Sequence, residues 1–276
     1  MMKFLKFVQV AILAAAFVPQ ITLASSGAIK PPSQEWGFKG AFGKFDNAAL
    51  KRGAQIAVEV CMACHSFKYI KFESLKQFGY TEAEIVALAD TQGRTKNDKM
   101  ISAMDDISAQ ESFGLIPPDL SLMTKARKGY ENYVYGILTG YLNDGETELV
   151  EKVWEDNKVS KTEALELAAA LHVDANHPKQ IENTLKRIDN GDNFNKYFPG
   201  QFFAMPAPLT DGAVEYADGT ESSLKQMSHD ITTFMAWTAE PTLIERKTLG
   251  FKVLLYLVFF TILLYAVKRR IWAKVH

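Results

Sequence analysis

Cys61, Cys64 and His65 are the residues whose types and spacing point most directly to chemistry. They form a C-x-x-C-H run, Cys61-Met62-Ala63-Cys64-His65, and the 276-residue chain holds only these two cysteines. Two thiols three positions apart can each add to one vinyl group of a haem, and the adjoining imidazole then lies under the iron as its proximal ligand. The run therefore reads as the attachment site of one covalent haem c. Other uses fit less well. A thioredoxin-like redox pair would follow a strand and leaves His65 unexplained. A zinc site would want two more cysteines or a distant histidine pair. A disulfide across so small a loop would be strained.

A haem iron held by His65 needs a decision on its other axial position. An open position gives ligand or oxygen chemistry, whereas a methionine raises the potential toward electron transfer. Of the nine methionines, Met1 and Met2 belong to a leader, and Met62 sits inside the run. Met100, Met104, Met123, Met227 and Met235 have helical neighbours and are expected to pack. Met205 differs, lying in a proline-bounded aromatic loop, Phe202-Phe203-Ala204-Met205-Pro206-Ala207-Pro208, far downstream of His65. There a strap could fold over the ring, although a loop methionine of the core would look the same. His172, His177 and His229 are the chemical rivals; the first two fall in a polar stretch, and His229 beside Asp230 reads as exposed.

Several elements must position these groups. Asp46 or Asn47 can cap a helix in which Leu50, Ala54, Ala57, Val58 and Cys61 recur at helical spacing, so the haem run ends an amphipathic helix. Residues 66–80 read as irregular, with Phe67, Tyr69, Phe72 and Phe78 as haem-edge or ordinary core aromatics. Thr81-x-x-Glu84 is a capping box. Pro117 and Pro118 stiffen the stretch from Leu115 to Leu120 and remove amide donors, which suits an apolar wall beside a flat ring. The spacing of Ala126, Tyr130, Tyr133, Val134, Ile137, Leu138 and Tyr141 predicts one helix. Arg127 at its start is the cation best placed for a haem propionate, against the default of a solvated helix face. Residues 148–188 read as a helical insert, and Ser223 to Ala239 as the last helix before Pro241.

The two ends carry targeting information. Lys3, Lys6 and the apolar stretch Phe7–Val18, followed by Thr22-Leu23-Ala24, read as a signal peptide over residues 1–24. Leu249 to Val267 is almost wholly apolar, with Lys252 as its only charge, and at about 1.5 Å per residue it is long enough for a hydrocarbon core. Lys268-Arg269-Arg270 follows, so residues 268–276 are expected on the cytoplasmic side and residues 25–245 outside. The formal net charge of −1 hides an asymmetry: residues 25–245 hold 22 Lys and Arg against 32 Asp and Glu, a balance of −10. Such a domain would steer a basic partner; no nucleic-acid partner is expected.

Together these stretches resemble the cytochrome c1 family, the haem subunits of ubiquinol–cytochrome c reductase (bc1) complexes. The resemblance rests on Val60 to Ser66, Pro117-Pro118-Asp119-Leu120-Ser121, Ala126-Arg127, Tyr133-Val134 and Leu138-Thr139-Gly140-Tyr141. It continues through Phe194 to Gly200, Ala204-Met205, Glu215-Tyr216-Ala217-Asp218-Gly219 and Trp237-Thr238-Ala239-Glu240-Pro241. It implies a mainly α, class I cytochrome c-like haem domain with long loops and inserts, plus one C-terminal transmembrane helix. It also implies Cys61 and Cys64 as thioethers, His65 and Met205 as axial ligands, and Arg127 at a propionate. The implied partners are cytochrome b and a Rieske iron–sulfur protein, with cytochrome c as acceptor, at a bacterial inner membrane. On its own such a chain is an electron-transfer subunit and not an enzyme. Two other readings are a free-standing membrane-anchored c-type cytochrome and an open-site haem peroxidase.

Overall fold

The computed structural model describes residues 29–156, 161–173 and 178–273. The leader (1–24), His177 and the end of the basic tail (274–276) lie outside the described residues. The molecule is mainly helical. Helix α1, Asn47–Glu59, opens on Asp46, whose carboxylate accepts from the Ala48 amide, and ends at Val60, immediately before the cysteines. Strand β1, Phe67–Lys71, follows and pairs antiparallel with a two-residue strand β2, Lys99–Met100. A 3-10 stretch over Phe72–Phe78 and helix α2, Glu82–Asp90, complete the first half of the core. The Thr81/Glu84 capping box forms in both directions.

Two findings depart from the periodicity. Asp106–Phe113 is a helix, α3, which buries only Ala109 and so leaves little amphipathic signal. The single helix expected over residues 126–141 is two, α4 at Met123–Ala126 and α5 at Glu131–Thr139. Between them Arg127 is extended and Tyr130 takes φ +53°, a left-handed conformation rare outside glycine that no helix can contain.

Helices α6 (Asp144–Asp156), α7 (Lys161–Ala170) and α8 (Pro178–Asp189) make a small unit with its own apolar cluster. Val150, Leu167, Leu171, Ile181 and Leu185 meet there, together with Phe194 from the following loop. The main core lies elsewhere, between α1, β1, the 3-10 stretch and helix α9, Leu224–Ala239. Phe67 and Phe78 both meet Phe234 edge-on, and Phe78 also meets Trp237 at 4.9 Å. These rings, with buried Phe72, are core aromatics, whereas Tyr69 is exposed.

The crossing of α1 over α9 is unusually close. Gly53 makes it possible: a Cβ there would lie 2.7 Å from Phe234 Cβ and closer still to the Asp230 carbonyl oxygen. Beside it Arg52 Nε donates to Asp230 Oδ2 at 2.7 Å and its NH2 donates to Oδ1 at 3.2 Å. The Asp230 side chain is fully buried. Burial pushes its carboxyl upward, but hydrogen bonds from His229, Arg52 and Gln226 outweigh this and hold it below the usual carboxylate range. His229, expected to be exposed, stacks on Trp36 at 4.9 Å. Trp36 belongs to the N-terminal arm, and its indole donates to Asn132 of α5 at 2.8 Å.

Only residues 240–242 separate α9 from α10, Leu243–Trp272. Helix α10 buries no residue, and among the described residues it is the one helix long and apolar enough to cross a membrane. Glu240 ties the joint, accepting from Lys125 Nζ at 2.6 Å and Arg246 Nε at 2.5 Å.

Gly53→Ala is expected to destabilise the domain, because the added methyl meets backbone that cannot swing away. Overpacking of this kind costs about 2 kcal/mol or more, a fall of about 4–8 °C in melting temperature for a domain of this size. An unchanged thermal melt would show that the crossing has slack.

Candidate haem site

The end of α1 delivers the two thiols. Past Val60 the chain tightens into a 3-10 turn over Cys61–Ala63, with the Cys64 amide donating to Cys61 O at 3.2 Å and the His65 amide to the same oxygen at 2.8 Å. This turn gathers Cys61, Cys64 and His65 into one compact unit. Both cysteines are unpaired and half-buried. Burial pushes the Cys61 thiol up to about 12, so it is a neutral thiol and not the thiolate of a redox pair. Met62 points the other way and is fully buried in the main core. Its carbonyl accepts from the Ala103 amide at 3.1 Å, pinning the turn from outside.

His65 is oriented by the proline segment. Its Nδ1 lies 2.7 Å from Pro118 O. A carbonyl can only accept, so Nδ1 carries the proton and Nε2 keeps a free lone pair, the tautomer of a metal-ligating imidazole. Burial lowers the pKa of His65, against the opposing pull of Pro118 O and Asp119. The ring is therefore neutral at neutral pH, as a ligand must be.

Pro118 is itself exposed, and its contribution is this backbone carbonyl. The segment is held on both sides. Asp119 accepts from the Lys68 amide at 2.8 Å and Ser121 Oγ from the Tyr69 amide at 3.2 Å, two side-chain acceptors lying along β1. On the other side Thr238 of α9 donates to Ser121 O at 3.1 Å. A cleft of about 590 Å3 opens beside Cys64, with Met104, Ile107, Ile116 and Pro117 among its walls. Its size falls in the range of small-molecule sites, ~300–1,000 Å3.

Met205 lies on a separate strap. Tyr141, just past α5, directs its hydroxyl at Met205 O (2.9 Å) and Pro206 O (3.2 Å). Its ring stacks on Phe203 at 5.9 Å, and Phe203 stacks on Phe198 at 4.5 Å. Burial raises the Tyr141 phenol, so it stays a donor at any physiological pH. Fully buried Asn195 closes the strap at its base, donating to Ile137 O of α5 at 2.7 Å and accepting from the Tyr197 amide. Tyr141 and Asn195 were not singled out as site residues. Tyr141 carries a sequence signal only as the last position of the helical stripe from Ala126, and Asn195 only as part of an aromatic loop.

Arg127 is exposed on the turn between α4 and α5, where its NH1 donates to Ala126 O at 3.2 Å. It also neighbours Tyr133, whose phenol burial raises and Arg127 pulls back down.

The residues fit a covalent haem. There are two unpaired thiols at the attachment spacing, a neutral imidazole of fixed tautomer beside them, and a methionine on a separately braced strap.

Comparison with known proteins agrees. Residues 36–275 match the sequence model of the Cytochrome C1 family. Cytochrome c1 of Rhodospirillum rubrum is 35% identical over 269 residues, covering 91% of each chain. The cytochrome b/c1 protein of Bradyrhizobium diazoefficiens is 35% identical over 277 residues, which cover 92% of this chain but 37% of that longer one. The mitochondrial cytochrome b-c1 complex catalytic subunit of Candida albicans is 31% identical, covering 92% of this chain and 81% of its own.

Tyr141→Phe keeps the ring stack and removes the donor to the strap. The expected result is a loss of about 1 kcal/mol in unfolding free energy, read as a lower guanidinium midpoint with the haem still attached. An unshifted midpoint would mean that stacking alone holds the strap.

Proposed function

The chain belongs to the cytochrome c1 family, and on that premise we propose that it passes single electrons from a Rieske iron–sulfur protein to a cytochrome c within a membrane quinol–cytochrome c oxidoreductase. It is an electron-transfer haem subunit carrying one covalent c-type haem. The observation that carries the residue assignment is the hydrogen bond from His65 Nδ1 to Pro118 O, directly after the paired thiols. In this reading Cys61 and Cys64 would hold the haem as thioethers, and His65 and Met205 would ligate its iron. Arg127 meets a propionate, and Pro118 orients His65. When bound, the haem would supply a one-electron iron couple, and ligation by His65 and Met205 would set its potential high.

The protein's own residues do the rest. The 3-10 turn holds both thiols in place. Pro118 O keeps the imidazole in one tautomer and one orientation. Tyr141 and Asn195 hold the Met205 strap to α5. A frame anchored at this many points changes little between oxidation states, which keeps reorganisation small. No bond of a substrate is made or broken by these residues.

The reading as a subunit, against a free-standing tethered carrier, is supported by the joint at residues 240–242. Glu240 ties α4 and α10 to the end of α9, so the domain stands fixed on its anchor and does not swing on a linker. A fixed domain needs a partner that moves or diffuses to it. The basic flank after Val267 supports a haem domain in the periplasm and a short tail in the cytoplasm. Cytochrome b is the proposed membrane neighbour, and its co-purification with this chain and an iron–sulfur protein would separate the two readings.

Met205→Leu is expected to leave the haem attached, lower its potential and admit carbon monoxide to the reduced iron. A variant with the parent spectrum and potential would remove Met205 from the site. Electron transfer to a basic cytochrome c should slow as ionic strength rises, because residues 25–245 carry a balance of −10. A flat salt profile would count against steering by this charge.

A further inference from the structure

The loop before α1 meets the membrane helix in a way that the haem chemistry does not require. Residues 37–44 turn back on themselves, with the Lys39 amide donating to Trp36 O at 2.9 Å and the Lys44 amide to Gly37 O at 3.0 Å. Gly43 has no room for a side chain, since a Cβ there would lie 2.7 Å from the Phe38 carbonyl carbon. Lys247, in the second turn of α10, closes this loop from the anchor side. Its ammonium donates to Phe38 O at 2.6 Å and to Gly43 O at 3.2 Å.

The tip of the loop is then set against the apolar run. Phe42 is 79% exposed, yet its ring meets Phe251 edge-on at 5.9 Å. Phe251 lies two residues past Leu249, where the apolar run begins, so it sits about 3 Å inside that edge. No acidic residue occurs between Trp36 and Phe45, and Lys39 and Lys44 flank the tip. Lys39 pairs with Glu131 at 2.6 Å.

We propose that residues 39–44 are a second membrane contact: Phe42 enters the headgroup–acyl boundary beside α10, and Lys44 meets anionic headgroups. An exposed aromatic at a loop tip with cationic flanks is what interfacial segments present to a bilayer. The bilayer is favoured as occupant because the loop is continuous with the spanning helix, through both the Phe42–Phe251 contact and the Lys247 bonds. Two contacts, the helix and the loop, fix the tilt of the domain over the membrane, which one helix alone does not. The proposal rests on α10 being the membrane anchor.

A nitroxide label tests it on the full-length holoprotein in nanodiscs of phosphatidylcholine and phosphatidylglycerol. With Cys61 and Cys64 consumed by the haem, Phe42→Cys offers a single thiol. Leu257→Cys in mid-span and Glu166→Cys on α7 serve as references. Accessibility to oxygen and to a water-soluble nickel complex is measured for each label against its own nitrogen-equilibrated sample, so that relaxation by iron cancels. The expected oxygen-to-nickel ratio at position 42 is severalfold above that at 166 and below that at 257. A ratio at 42 equal to that at 166, with 257 deep, would overturn the loop contact and leave the anchor standing. An aqueous ratio at 257 would overturn the anchor and the loop contact with it. A label at 42 shielded from both reagents would assign the loop to a protein neighbour and overturn the lipid contact.

Discussion

The close crossing of α1 over α9 is the constraint on which the remaining geometry depends. Gly53 lets the two backbones approach, and the Arg52–Asp230 pair fixes their register. A buried ion pair of this kind contributes little net stability, yet removing one partner is costly, about 3–5 kcal/mol. Its value here is that it permits one alignment. From that alignment α1 projects the C-x-x-C-H turn, while α9, through Thr238 and Ser121, holds the proline segment that orients His65. One helix pair thus positions both thiols and the carbonyl behind the His65 imidazole.

The strap that carries Met205 is built independently. Met205 hangs from α5 through Tyr141 and Asn195, and the aromatic stack of Tyr141, Phe203 and Phe198 stiffens its strap. The helices α6 to α8 bury a cluster of their own and reach this strap through Phe194 and Phe202, through the Lys196–Glu146 pair and through the bond from Gln201 to Leu171 O. Their cluster shares no residue with the core around α1 and α9, so the fold carries them without disturbing the thiols. At the opposite end Glu240 and Lys247 join the domain to α10 with almost no free chain between.

Much of this was legible in the residues themselves. The haem run, the Asp46 cap, the Thr81/Glu84 box and the apolar stretch from Leu249 all act locally, and local chemistry is what a sequence displays. The role of Pro118 was not legible, since a backbone carbonyl has no side-chain signature; the prolines suggested a wall and the structure adds an acceptor. The break at Arg127–Tyr130 has one sequence signal, Gly129 at φ +101°, which the apolar spacing on either side masks; Tyr130, with φ +53°, gives none. Strand β1 was read as irregular because its burial does not alternate and its partner is two residues long. Helix α3 has one buried residue and so no apolar face to detect, although its Asp105 cap and the following Gly114 at φ +70° mark both ends.

Under the proposed function, His65 and Met205 would both ligate the iron of one haem. Proton NMR of the reduced, diamagnetic holoprotein with methyl-labelled methionine tests it most directly. A methionine bound to haem iron lies in the ring current, so the Met205 methyl should move far upfield of all other methionine methyls. A Met205 methyl in the ordinary methionine range would contradict the account.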